Sequence, residues 1–188
     1  MPWRNGAGTT TEVAVFPPGA GFDEFLWRLA IADLDRSGPF SSFRGIDRLL
    51  MLLPPGRATL TIDGDQHRLA PLGVVPFRGE AVASVTLAAG PSRDLNLMTR
   101  RAAAVATMEA IELAEPLQRK LRGGHALVCA IEGTVEVECA GATALLEPLD
   151  SALCEPAAGA EATIELRPLT TPTTLAWVTV VSRGAADV

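Results

Sequence analysis

Apolar and polar side chains alternate along most of this chain in short runs, and glycine or proline interrupts the runs at short intervals. In Ala58-Thr59-Leu60-Thr61-Ile62 the apolar residues take one face and the threonines the other. Asp63-Gly64-Asp65 then supplies turn chemistry, and Gln66-His67-Arg68-Leu69 returns. This reads as a hairpin, because successive strand side chains point to opposite faces and Asp-Gly takes the left-handed backbone of a tight turn. Pro54-Pro55-Gly56, Pro71-Leu72-Gly73 and Glu147-Pro148 contain residues that cannot donate ladder hydrogen bonds, so they lie between strands or at their edges. The pattern predicts an all-β chain. The stretch from Ala102 to Leu113 pulls both ways, its alanine-rich start favouring helix by propensity and the repeat described next implying a strand; the strand is the expectation.

Sliding the chain against itself by 77 positions lays Gly56 on Gly133, Gly64 on Gly141, Leu69 on Leu146 and Pro71-Leu72 on Pro148-Leu149 without a gap. Ala58, Leu60 and Ile62 fall on Val135, Val137 and Cys139, while Thr59 and Thr61 fall on Glu136 and Glu138, so the inside-outside register is kept as well as the turns. The same shift lays Arg48 on His125. A unit of this length suits a small β-barrel or sandwich, and two in tandem fill the chain. The expected halves are residues 1–102 and 103–188, with the join near Arg100 to Val105.

The chain has 188 residues, 48% of them hydrophobic, which is enough to bury a core. Sixteen basic against 22 acidic residues leave a net charge of −6, and no Lys/Arg run exceeds Arg100-Arg101, so nucleic acid is not an expected partner. No stretch approaches the ~20 apolar residues that cross a bilayer. The start, Met1-Pro2-Trp3-Arg4-Asn5-Gly6, carries no hydrophobic signal, so no membrane partner is expected and the expected location is the cytoplasm. Cys129, Cys139 and Cys154 are odd in number and lack Cys-x-x-Cys spacing; they are expected as free thiols, the first two filling strand positions as small hydrophobes.

Polar residues crowd strand-like positions before residue 100 and thin out after it, which places function in the first half. In Trp27-Arg28-Leu29-Ala30-Ile31-Ala32 the large side chains Trp27, Leu29 and Ile31 share one face and turn Arg28 the other way, beside two small alanines. Arg28 there either meets a ligand or lies on a solvated face. In Asp94-Leu95-Asn96-Leu97-Met98 the two leucines oppose Asp94, Asn96 and Met98. If the leucines pack between sheets, Asp94 and Asn96 sit either in water or in the lumen of the barrel. The loop Ser37-Gly38-Pro39-Phe40-Ser41-Ser42-Phe43 leads through Gly45-Ile46-Asp47-Arg48 into the strand Leu49-Leu50-Met51-Leu52-Leu53, where Asp47 and Arg48 either feed a binding mouth or pair with each other. Trp3 to Glu12 offers glycines for close backbone approach and a run of hydroxyls, without the lysine or spacing of a phosphate loop.

The blocks Pro2-Trp3-Arg4-Asn5-Gly6-Ala7-Gly8, Trp27-Arg28-Leu29-Ala30-Ile31-Ala32, Gly38-Pro39-Phe40-Ser41, Gly45-Ile46-Asp47-Arg48 and Asp94-Leu95-Asn96-Leu97-Met98 closely resemble the signature blocks of the HutD/Ves family, in matching order and spacing. The resemblance is strong over residues 2–101 and architectural beyond them. It implies a bicupin fold of two cupin-like jelly-roll barrels, an association with bacterial histidine utilisation, and a regulatory role through binding of a pathway intermediate. This chain has Gly6-Ala7-Gly8 where the family pattern has three glycines, which implies a stiffer loop or a negative φ at Ala7. Family members usually carry a further strand-sized segment ahead of the Pro-Trp block. The reading therefore expects an edge strand of the first barrel to be missing, its neighbour covered by the other barrel or a second subunit; a homodimer is the default.

Many cupins hold a metal through His-x-His, a later Glu and a further His. Here His67 and His125 are the only histidines, so no metal and no other cofactor is expected. There is no tyrosine, no nucleophile elbow and no Cys/His pairing, and no catalytic residue is assigned. The expected ligand-binding residues are Trp3, Asn5, Thr10, Glu12, Arg28, Phe40, Ser41, Asp47, Arg48, Asp94 and Asn96. A guanidinium fork meets a carboxylate through two parallel hydrogen bonds, so the expected partner is a small anionic, carboxylate-bearing molecule; the family resemblance implies a glutamate derivative of histidine breakdown. Two other readings stand beside this sensor. One is a metal-independent isomerase or lyase with Asp47, Asp94 or Glu12 as base; the other is a structural partner acting through the second barrel.

Overall fold

A computed structural model of the chain describes residues 8–157 and 160–183. The described residues form strands and no helix. In the first half these are β1 (Gly8–Phe16), β2 (Trp27–Leu34), β3 (Gly38–Pro39), β4 (Ile46–Leu53), β5 (Ala58–Ile62), β6 (Asp65–Leu69), β7 (Val74–Arg78), β8 (Ala83–Leu87) and β9 (Ser92–Arg100). In the second they are β10 (Ala104–Glu112), β11 (Leu117–Arg122), β12 (His125–Glu132), β13 (Val135–Cys139), β14 (Ala142–Leu146), β15 (Ser151–Cys154), β16 (Glu161–Pro168) and β17 (Thr174–Ser182). The alanine-rich stretch with ambiguous propensity is thus a strand over Ala104–Glu112, β10, as the repeat implies. No helix among the described residues is long and apolar enough to cross a membrane.

The strands fall into two compact units that divide between residues 104 and 105. The first unit has one sheet in the order β1-β2-β9-β4-β7 and another in the order β3-β8-β5-β6. The second has β10-β17-β12-β15 and β11-β16-β13-β14. With β1 set aside, the two units follow one path: every strand from β2 to β9 has its counterpart eight places later, in the interleaved order of a jelly roll. In each unit the inward faces of both sheets fill one core. Leu34, Leu50, Leu52, Leu60, Leu69, Phe77 and Val85 meet in the first, and Val128, Val135, Val137, Leu146, Ile164, Leu166 and Trp177 in the second.

Turn geometry repeats with the topology. Ala58 pairs with Leu69, and 77 residues on Val135 pairs with Leu146. The two hairpin turns have positive φ at both central residues, Asp63 (49°) and Gly64 (96°) in one, Ala140 (51°) and Gly141 (80°) in the other. The backbone twist of such turns matches that of the strands they join. Leu72 and Leu149 share a positive φ as well, at 67° and 77°.

The constant shift fails at β4 and β12. Leu50 pairs with Val75, and Val128 pairs with Ala152, the counterpart of Val75; the ladders therefore match Arg48 with Ala126, a shift of 78, and not with His125. The cause is chain length: Leu52 to Ala58 spans six positions and Ala130 to Val135 spans five. A one-residue slip turns a strand over, so His125 takes the opposite face from its expected counterpart.

Candidate functional site

Antiparallel pairing decides which side chains stand side by side on the five-stranded sheet. Arg28, Met98, Arg48 and Phe77 form one row across β2, β9, β4 and β7. The next row is Glu12, Ala30, Asn96, Leu50 and Val75, and the one beyond it is Thr10, Ala32, Asp94 and Leu52. Ala32, Leu50, Leu52 and Phe77 belong to the core shared with the facing sheet, so the polar members of these rows point between the two sheets. The leucines Leu95 and Leu97 take the outer face and are buried there too, which explains why β9 carries burial on both sides. Six expected residues from four separate strands, Thr10, Glu12, Arg28, Arg48, Asp94 and Asn96, therefore share one face of one sheet.

Arg28 is 7% exposed, Arg48 3%, Asp94 0% and Asn96 6%. The Arg28 Nε donates to Glu12 Oε2 at 2.8 Å, and its guanidinium carbon lies 4.9 Å from the Phe22 ring centroid. The Arg48 guanidinium sits among three rings, 4.8 Å from Phe77, 4.9 Å from Phe40 and 5.9 Å from Phe43. Phe22 and Phe43 stack at 5.6 Å, so one pair of rings joins the two arginines. Ring faces attract a guanidinium without using its N–H groups, which keeps the donors available. Gly79 holds this roof close: its N–H donates to the Ile46 carbonyl, its carbonyl accepts from the Phe43 N–H, and a Cβ at Gly79 would stand 2.5 Å from the Phe43 carbonyl oxygen.

Both carboxyl oxygens of Asp94, the Asn96 Oδ1 and the Arg48 Nε are buried without a hydrogen-bond partner among the described residues. Burial pushes the Asp94 carboxyl up to about 7, against the pull of Arg48, and pulls Arg48 down to about 10, against the pull of Asp94. Arg48 stays charged at neutral pH. A buried polar group left unpaired costs several kcal/mol or shifts its protonation. Four such atoms lie on one inward face. Beside Arg28 a pocket of about 500 Å³ opens, lined by Thr10, Thr11, Glu12, Ala20, Gly21, Phe22 and Arg28.

The second unit, which has unpartnered buried atoms of its own at Arg119 Nε and Ser151 Oγ, holds different residues at the matched positions. The ladders match Arg48 with Ala126, Asn96 with Trp177 and Asp94 with Leu175, all apolar and buried. A jelly roll of this topology needs none of the three polar residues for its core.

Other expectations are redistributed. Asp47 faces away from this cluster, because it precedes the inward Arg48 on a strand. Its Oδ1 accepts from Arg101 Nε at 2.6 Å, and its side chain is 43% exposed, so it leaves the ligand-binding set. Ser41 is exposed on the loop after Phe40 and makes no hydrogen bond with this cluster. Trp3 and Asn5 lie outside the described residues. Phe22, Phe43 and Phe77 were not singled out by sequence; Phe77 was within reach through the alternation of Val75 and Phe77, whereas a loop phenylalanine gives no sign that it will face an arginine. Among the described residues no group of three or more His, Cys, Asp or Glu is placed to hold a metal ion. Cys129, Cys139 and Cys154 are free, the first and last buried.

Comparison with known proteins bears on the family and the fold. The HutD family model matches residues 1–170. An uncharacterised 21.2 kDa protein in the hutC 3′ region of Pseudomonas putida is 42% identical over 99 residues, and protein Ves of Citrobacter koseri is 42% identical over 101. Each match covers 52% of the relative, so the chain spans about half the length of the curated relatives it matches. The structure of HutD from Pseudomonas fluorescens SBW25, solved in a formate condition, is 30% identical with a TM-score of 0.82, over 98% of this chain and 94% of that one. A cupin 2 conserved barrel domain protein from Leptotrichia buccalis shares the fold at 10% identity and a TM-score of 0.62, over 93% of this chain and 89% of that one. With its all-β cupin-like fold and a family match running through both units, the chain belongs to the HutD family.

Proposed function

We propose that the polar cluster between the sheets of the first unit, entered from the pocket beside Arg28, binds a small carboxylate-bearing molecule, a glutamate derivative or other intermediate of histidine breakdown, and that the protein reports its level as a regulatory accessory of histidine utilisation. The observation that carries this reading is the set of unpartnered, buried Arg48, Asp94 and Asn96 atoms at positions where the duplicate unit holds alanine, leucine and tryptophan. The link to histidine utilisation rests on the family and on the hutC-region relative. Arg48 supplies a guanidinium already held by three rings, which lowers the entropy lost when its N–H groups engage an anion.

A ligand that binds only the folded state raises the melting temperature in proportion to the logarithm of its concentration over Kd. Purified protein exposed to histidine, urocanate and glutamate derivatives is therefore expected to show such a rise with at least one of them. Arg48→Met, which keeps most of the volume and removes the charge, is expected to weaken the response by tenfold or more in Kd. No rise with any of these compounds at millimolar concentration removes the reason for naming this pathway.

One observation favours an acid–base reaction as the second reading: Asp94 is a buried carboxyl held near neutral pH, where proton transfer works in both directions. Asp47 no longer competes for that role, and Glu12 is engaged with Arg28. NMR of each bound compound over hours separates the readings, since a sensor returns its ligand unchanged.

A further inference from the structure

We propose that this site takes up its anion together with one proton, which Asp94 holds, so that binding is coupled to pH. The inference rests on the anion site proposed above and follows from a count of the charges on the inward face that carries Arg28, Arg48 and Asp94. Arg28 is neutralised by Glu12 at 2.8 Å. Arg48 and an ionised Asp94 neutralise each other only at a distance, because neither Asp94 oxygen has a hydrogen-bond partner. The cluster is then neutral before anything enters. An incoming carboxylate leaves it with one excess negative charge in a buried, low-dielectric setting, and a proton on Asp94 restores neutrality.

Geometry agrees with the charge count. Asp94 is fully buried, flanked by Ala32 on β2 and Leu52 on β4. From β1 the same row brings Thr10 and the next brings Glu12, while β2 and β4 bring Arg28 and Arg48. The facing sheet brings Ala58, Leu60, Ala83, Val85 and Leu69 into the shared core, and His67 of β6 is exposed. Arg48 is the charge whose field reaches the Asp94 carboxyl. An ionised Asp94 offers only acceptors, beside an Asn96 Oδ1 that is itself an unused acceptor. Protonated, Asp94 gains an O–H donor that an incoming carboxylate oxygen or the Asn96 Oδ1 can accept. The proton comes from the buffer, and no other bond forms or breaks.

The test is calorimetric titration of the wild-type protein and Asp94→Asn with glutarate and with formate, which stay ionised from about pH 7 to pH 9, in two buffers of different ionisation heat. Wild-type affinity is expected to weaken about tenfold per pH unit between about pH 7.5 and 9, with uptake approaching one proton per ligand at the alkaline end. Asp94→Asn keeps a neutral amide there and is expected to bind with an affinity flat in pH and no proton uptake. If the variant does not fold, the wild-type proton count decides alone. Wild-type binding that is flat in pH, or that tightens as pH rises, overturns the coupling and leaves the anion site standing. Absence of binding at every pH overturns both.

Discussion

Asp94 concentrates the tension between folding and function in one side chain. In the unfolded chain its carboxyl titrates near 3.8 and in the folded one near 7. Between those values the native state holds more protons than the unfolded state. Its contribution to stability is therefore greatest in acid, declines as pH rises from about 4 to about 7, and stays at its lowest above that. Ion-paired carboxylates such as Glu80, held at about 2 by Arg101, and Asp33, lowered by Arg93, slope the other way and are common to wild type and variant. The difference in melting temperature between Asp94→Asn and wild type is thus expected to widen from about pH 4 to about pH 7 and then level off. Differential scanning calorimetry across that range reads it directly, and a difference constant with pH would mean that Asp94 is ionised throughout. Asp47, one residue from an inward arginine and yet outward, shows how little margin a strand leaves: parity alone assigns it to Arg101 and not to the cluster.

The hairpins β5–β6 and β13–β14 use one turn geometry with different residues: Asp63-Gly64 in the first and Ala140-Gly141 in the second. Aspartate tolerates a left-handed φ because its side chain bonds locally, and alanine has no such help. Ala140 is exposed, so nothing else about the position calls for alanine. Ala140→Asn is expected to stabilise the protein by about 0.5–1 kcal/mol, seen as a higher urea midpoint at unchanged slope. The close approach at Gly79 works at the same scale in the service of the site, since it sets the loop that carries Phe43 over Arg48.

At the scale of the whole molecule, duplication supplies an internal comparison. Both units build the same jelly roll, yet the rows that hold Arg48, Asn96 and Asp94 in one hold Ala126, Trp177 and Leu175 in the other. Exchanging residues between matched positions is expected to give opposite results. Asp94→Leu removes an unpartnered buried carboxyl and is expected to raise stability by about 1 kcal/mol or more while abolishing ligand binding. Leu175→Asp places an unpaired carboxyl in an apolar core and is expected to cost about 3 kcal/mol or more. Chemical denaturation of the two variants side by side checks the pair, and equal losses in both would remove the claim that only the first unit is built around a ligand.

Sequence by itself determined the strand content, the hairpin turns, the apolar cores and the presence of a repeat, because alternation, Asp-Gly chemistry and turn glycines are local signals. Alternation also placed Arg28 opposite Trp27 and Asp94 opposite Leu95. What alternation could not say is which face of β2 or β9 looks between the sheets, since both faces of each strand are buried. That choice belongs to tertiary structure. So do the stacking of Phe22 on Phe43 between two arginines, and the slip of one residue that takes His125 out of line with Arg48. Each depends on where separate strands and loops meet, and chain length between elements, more than residue type, decides the meeting.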